Sequence, residues 1–146
     1  MPHIVGTWAF NAEASRIPGP VPQTHVRRYF LADDGILIGV AAVVDAQGRP
    51  FFLQFAAKPD GADYPEFDMN SAAAYLIDGS QPPRTYSETP IDSHTVEWVD
   101  KADGRVIASG KKWVSADGQT LSFTSNAKND RGEDVEYLYV FDRTGP

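Results

Sequence analysis

Apolar and polar positions along this chain alternate in short runs, and turn residues cut each run off. Asp33-Asp34-Gly35, Asp45-Ala46-Gln47-Gly48 and Pro59-Asp60-Gly61 set glycines thirteen residues apart. Ala102-Asp103-Gly104, Ala116-Asp117-Gly118 and Asn129-Asp130-Arg131-Gly132 repeat the device at intervals of fourteen. Asp and Asn side chains hydrogen-bond back to their own turn, and glycine supplies the positive φ that tight hairpins require. Between the turns lie runs rich in β-branched and aromatic residues: Ile36–Val44, Phe51–Ala57, Arg105–Ser109, Leu121–Asn126 and Val135–Phe141. Each interval has room for one strand and its turn. The pattern predicts an all-β domain over 1–146, an antiparallel up-and-down meander closed into a barrel of about 8–10 strands.

Helix signals are sparse. Eleven prolines and twelve glycines are scattered along the chain, and only Asn70–Leu76 strings helix-forming alanines together, with Asn70 or Ser71 as a cap. Ile17–Pro22 reads as a surface loop. Residues 62–92 carry Pro65, Pro82, Pro83 and Pro90 and read as a flap over one barrel end.

Composition narrows the class. A chain of 146 residues is one ordinary domain, and its lack of cysteine removes disulfides, thiolate metal sites and cysteine nucleophiles. Thirteen basic against twenty acidic side chains give a net charge of −7, which disfavours nucleic acid and anionic membrane as partners. The start, Met1-Pro2-His3-Ile4-Val5-Gly6, has no basic, long-apolar leader pattern, so a cytoplasmic location is the expectation. No nucleotide-binding glycine motif occurs. His3, His25 and His94 are too dispersed to suggest a metal centre, so neither metal nor cofactor is expected.

Gly6-Thr7-Trp8 resembles the Gly-x-Trp that opens lipocalin and calycin barrels, whose Trp packs across the closed end. Pro18-Gly19-Pro20, Asp60-Gly61-Ala62-Asp63-Tyr64-Pro65, Thr95-Val96-Glu97 and Ser115 to Leu121 widen the likeness to small bacterial lipocalin-like proteins. The resemblance implies a lipocalin-like barrel around a small hydrophobic ligand. The sequence is expected to depart from that pattern in having no signal peptide and in extra residues around Glu66–Thr89.

Two strands carry candidate chemistry. In Gln23–Leu31 the period of two puts His25, Arg27 and Tyr29 on one face, against Thr24, Val26, Arg28 and Phe30 on the other. An imidazole, a guanidinium and a phenol in one row can hold a carboxylate or phenolate and move a proton. The plainer reading, favoured by the usual exposure of charged residues, is a solvent-facing polar row. In Glu133–Phe141, Val135, Tyr137, Tyr139 and Phe141 share the face expected to point inward. A buried tyrosine there needs a hydrogen-bond partner, from the core or from a ligand. His94 reads as capping a turn. Gly39, Ala41 and Ala42 would leave volume inside a barrel; alternatively, strand 36–44 has one face covered by the flap or by the second subunit of a homodimer.

The preferred sequence reading is a cofactor-independent enzyme of lyase, isomerase or decarboxylase type acting on a hydrophobic, aromatic small molecule. His25 would be the general acid/base, Arg27 the anion clamp and Tyr137 a hydrogen-bond donor. Tyr29, Phe51, Trp98, Trp113 and Tyr139 would contact the ligand, with Glu66 and Asp68 on the flap as further bases. The alternatives are a non-catalytic carrier or sensor of the same ligand class, and a filled structural barrel.

Overall fold

A computed structural model describes residues 2–68 and 84–146, excluding the side chains of Pro2 and Asp68. Ten strands follow a short 3₁₀ turn, Pro2–Ile4. They are β1 Gly6–Phe10, β2 Thr24–Leu31, β3 Leu37–Val44, β4 Pro50–Ala57, β5 Tyr64–Asp68, β6 Arg84–Pro90, β7 Thr95–Ala102, β8 Arg105–Val114, β9 Thr120–Lys128 and β10 Asp134–Gly145. Each pairs antiparallel with its sequence neighbours, and β1 pairs with both β2 and β10, which closes the barrel and leaves no sheet edge. The expected turns connect consecutive strands. Gly35 and Gly118, for instance, hold φ of 84° and 72°, and the Asp117 carboxylate accepts from Gln119 N–H within its turn.

The meander takes in more of the chain than the sequence suggested. The stretch read as a flap contributes β5 and β6, with Tyr64 opposite Tyr86 and Gln54 opposite Phe67. Those residues are barrel wall, because their backbone groups complete the ladder between β4 and β7. The helix expected at Asn70–Leu76, and the flap's Pro82 and Pro83, lie outside the described residues. No helix among the described residues is long and apolar enough to cross a membrane.

One end of the barrel is sealed. Trp8 is fully buried, its indole N–H donates to Ile4 C=O at 2.8 Å, and the Arg143 guanidinium stacks 4.1 Å over its ring. Arg143 also donates to the carbonyls of His3, Val5 and Gly118, tying the 3₁₀ turn, β10 and the β8–β9 turn together. Leu37, Ala57, Val114 and Leu121 belong to the same buried cluster as Trp8. At the opposite end the β1–β2 loop and the 45–49 turn surround an opening, and β5 ends and β6 begins there.

Candidate functional site

The His25–Arg27–Tyr29 row faces the barrel interior, not solvent. Its partners on β3 explain why. Tyr29 lies opposite Gly39, Arg27 opposite Ala41 and His25 opposite Val43, so long side chains on β2 face small ones across the ladder. At Gly39 the space is already taken: a Cβ there would come within 2.5 Å of the Phe55 ring and 2.9 Å of the Tyr29 ring. Ala42, expected inside with Gly39 and Ala41, points outward.

The interior forms a funnel. An outer chamber of about 450 Å³ is lined by Phe10, Ile17, Pro20, Pro22, His25, Val43, Phe51, Ser125 and Tyr139, among others. An inner chamber of about 90 Å³ is lined by Gly39, Phe55, Glu66, Tyr86 and Lys112 among others. Arg27, Ala41, Leu53, Trp98, Asp100 and Phe123 border both, so the two spaces meet at Arg27 and Asp100. The outer chamber alone is within the roughly 300–1,000 Å³ typical of small-molecule sites.

At the joint, Arg27 Nη1 donates to Tyr29 Oη at 3.3 Å, while the guanidinium lies 4.7 Å from the Phe123 ring centre and 5.4 Å from that of Phe141. Its Nε is buried without a partner. His25 sits nearer the mouth, between Phe10 and Phe141, with a buried Nε2 that also has no partner. Burial, and then the charge of Arg27, lower the imidazole to about 3. His25 is therefore neutral at physiological pH, able to accept or donate a hydrogen bond but poorly matched to carrying a proton. That weakens the general acid/base role read from sequence.

A second set of ionisable side chains lines the inner chamber. Glu66 on β5 and Asp100 on β7 flank Arg84 of β6, whose Nη2 is 3.6 and 3.5 Å from their carboxylates. Burial, then the hydrogen bond and charge of Asp100, push Glu66 up to about 9, against the pull of Arg84 and Arg27. Glu66 therefore keeps its proton at neutral pH, beside the Asp100 carboxyl group. Glu66 Oε2 and Asp100 Oδ1 are buried and have no hydrogen-bond partner. Below them, Lys112 Nζ donates to Glu88 Oε1 and, at 2.8 Å, to Tyr86 Oη, while Tyr86 donates to Glu88 at 2.6 Å. Burial would raise the Glu88 carboxyl, but the Lys112 charge and these hydrogen bonds outweigh it and hold Glu88 below its ordinary value. Burial and the Glu88 charge drive Tyr86 well above the ordinary phenol range.

The remaining sequence candidates are dispersed. Trp98 lies inside, its indole N–H donating to Thr124 C=O at 3.1 Å. Tyr139 stacks on Phe123 at 4.7 Å, with its phenol raised by burial, and Phe51 stands at the rim, 40% exposed. Tyr137 borders neither chamber, so it does not join His25 and Arg27. Trp113 is on the outer wall, because Lys112 and Val114 on either side of it point inward. Glu66 is on a barrel strand instead of a flap, and only the backbone of Asp68, opposite Leu53, is described. The turn is capped by Asp92, whose Oδ1 accepts from the His94 N–H at 2.8 Å, rather than by the His94 side chain; the His94 ring stacks on His3 at 4.4 Å, at the sealed end. Among the described residues no three His, Asp or Glu side chains converge as a metal site.

The sequence reasoning missed Arg84, Tyr86, Glu88, Asp100 and Lys112. A period of two places Arg84, Tyr86 and Glu88 on one face, and Asp100 follows Val96 and Trp98 on another, so alternation did carry a signal. Nothing local links Lys112 to Glu88. The sequence matches no protein-family model, and no curated protein matches it.

Proposed function

We propose that this lipocalin-like barrel is a cofactor-independent enzyme that transfers protons within a hydrophobic, aromatic small molecule, with lyase or isomerase chemistry. The observation that carries this reading is Glu66, held protonated beside Asp100 on the wall of the inner chamber. Protonated Glu66 is the general acid at neutral pH, and Asp100 is the base beside it. Arg27 stabilises negative charge as it develops on the substrate, and the rings of Phe55, Trp98 and Phe123 exclude water and strengthen that interaction. His25 orients the substrate as a neutral hydrogen-bonding group.

The test is a screen of aromatic metabolites by thermal shift, each hit then incubated with the protein and followed by chromatography and NMR exchange in deuterated water. The expected result is conversion or proton exchange that Glu66→Gln and Asp100→Asn each slow by about 10²-fold or more, with binding retained. Hits that return chemically unchanged and without deuterium would rule the catalytic reading out. They would support the second reading, a carrier or sensor, which the largely apolar outer chamber of about 450 Å³ favours without any help from the carboxyl pair.

A further inference from the structure

The charged side chains around the funnel pair off, with one exception. Lys112 is neutralised by Glu88, Arg49 by Asp45 at 2.7 Å, and Arg84 lies between Glu66 and Asp100. Arg27 has no carboxylate within ion-pair distance among the described residues. Phe123 and Phe141, stacked on each other, lie against one side of the guanidinium, and Tyr29 takes up Nη1. That leaves the edge formed by Nε and Nη2, whose Nε is buried without a partner, on a side chain that borders both chambers. Two parallel N–H groups on that edge match the two oxygens of a carboxylate.

We propose that the ligand is an aromatic monocarboxylate, its carboxylate forked onto the Nε–Nη2 edge of Arg27 and its ring in the outer chamber among Phe10, Phe123 and Tyr139. The inference rests on the funnel being the ligand site. A neutral ligand that sealed the funnel would leave the guanidinium desolvated and uncompensated, whereas a monoanion cancels its charge. The unpartnered Nε2 of His25, toward the mouth, is a second donor for the same head group, since a neutral imidazole carries its proton on either nitrogen. A phenolate offers one oxygen to a two-donor edge and is the poorer match.

The experiment measures binding of 2-naphthoate, 2-naphthamide and 2-naphthol by calorimetry at about pH 7.5, to the wild-type protein and to Arg27→Met and Arg27→Lys. The expected result is 2-naphthoate at least about tenfold tighter than the amide or the naphthol. The preference disappears in Arg27→Met and survives only in part in Arg27→Lys, which keeps the charge but loses the fork. Circular dichroism controls for folding, and the wild-type comparison stands even where a variant does not fold. Equal affinity for acid and amide, a preference for the naphthol, or no binding of the acid at about 1 mM would overturn the proposal. Carboxylates that bind with the expected preference but are never converted would leave it standing while removing the catalytic reading. Conversion of neutral phenols with no carboxylate binding would do the reverse.

Discussion

Replacing Glu66 with Gln should make the barrel more stable at neutral pH, by an amount that grows as the pH rises. Glu66 holds its proton up to about 9 in the folded chain, against 4.5 for an ordinary glutamate. Between those values the folded state binds one more proton than the unfolded chain, so stability falls as pH rises, by about 1.4 kcal/mol per unit. His25 acts in the opposite sense. Its folded value of about 3 against an ordinary 6.5 means that the unfolded chain binds the extra proton in that window, and stability rises with pH there. The two slopes oppose each other between 4.5 and 6.5, and above 6.5 the Glu66 slope is free of this opposition. A Gln amide can donate to Asp100 as the protonated carboxyl does, so the variant keeps the contact and loses the titration. From pH 6.5 to 8.5 the wild-type protein should lose about 2.7 kcal/mol relative to Glu66→Gln. Urea unfolding at several pH values in that range, followed by tryptophan fluorescence, measures the difference directly. A gap between the two proteins that stays constant from 6.5 to 8.5 would refute the raised value of Glu66, and with it the acid role assigned to that residue.

Three further outcomes follow from the same geometry. The His25 imidazole should show no titration by NMR between about pH 8 and 5, and His25→Gln should reduce the loss of stability on acidification below 6.5, by up to about 1.4 kcal/mol per unit. Lys112→Met leaves Glu88 buried and uncompensated and should cost about 3–5 kcal/mol in urea unfolding, whereas adding Glu88→Met should recover much of it. Gly110→Ala would put a Cβ 1.9 Å from the Thr124 carbonyl oxygen that Trp98 Nε1 bonds, and should cost at least about 2 kcal/mol, read as a lowered Tm.

The turn spacing and the alternation between turns determined that this is an antiparallel meander, because Asp–Gly turns and period-two strands are local properties of the backbone. Strand β3, for example, starts one residue after its predicted beginning and ends at the predicted Val44. The pairing of β1 with β10 was not local, yet closure was legible, since a long meander otherwise leaves two unpaired edges. Strands β5 and β6 were obscured by their prolines and by the irregular residues between them.

Which face points inward was decided only in three dimensions. Alternation divides β2 into His25–Arg27–Tyr29 and Val26–Phe30 but does not say which set is enclosed. The apolar set would ordinarily be inside, and here Phe30 is 41% exposed while Tyr29 is buried. What tips the balance is the small Gly39–Ala41 row across the ladder, with room inside for an arginine and a tyrosine. The carboxyl pair is tertiary in the same sense. Glu66 and Asp100 are two strands apart in the sheet, and Glu66 keeps its proton only because the closed barrel buries it beside Asp100.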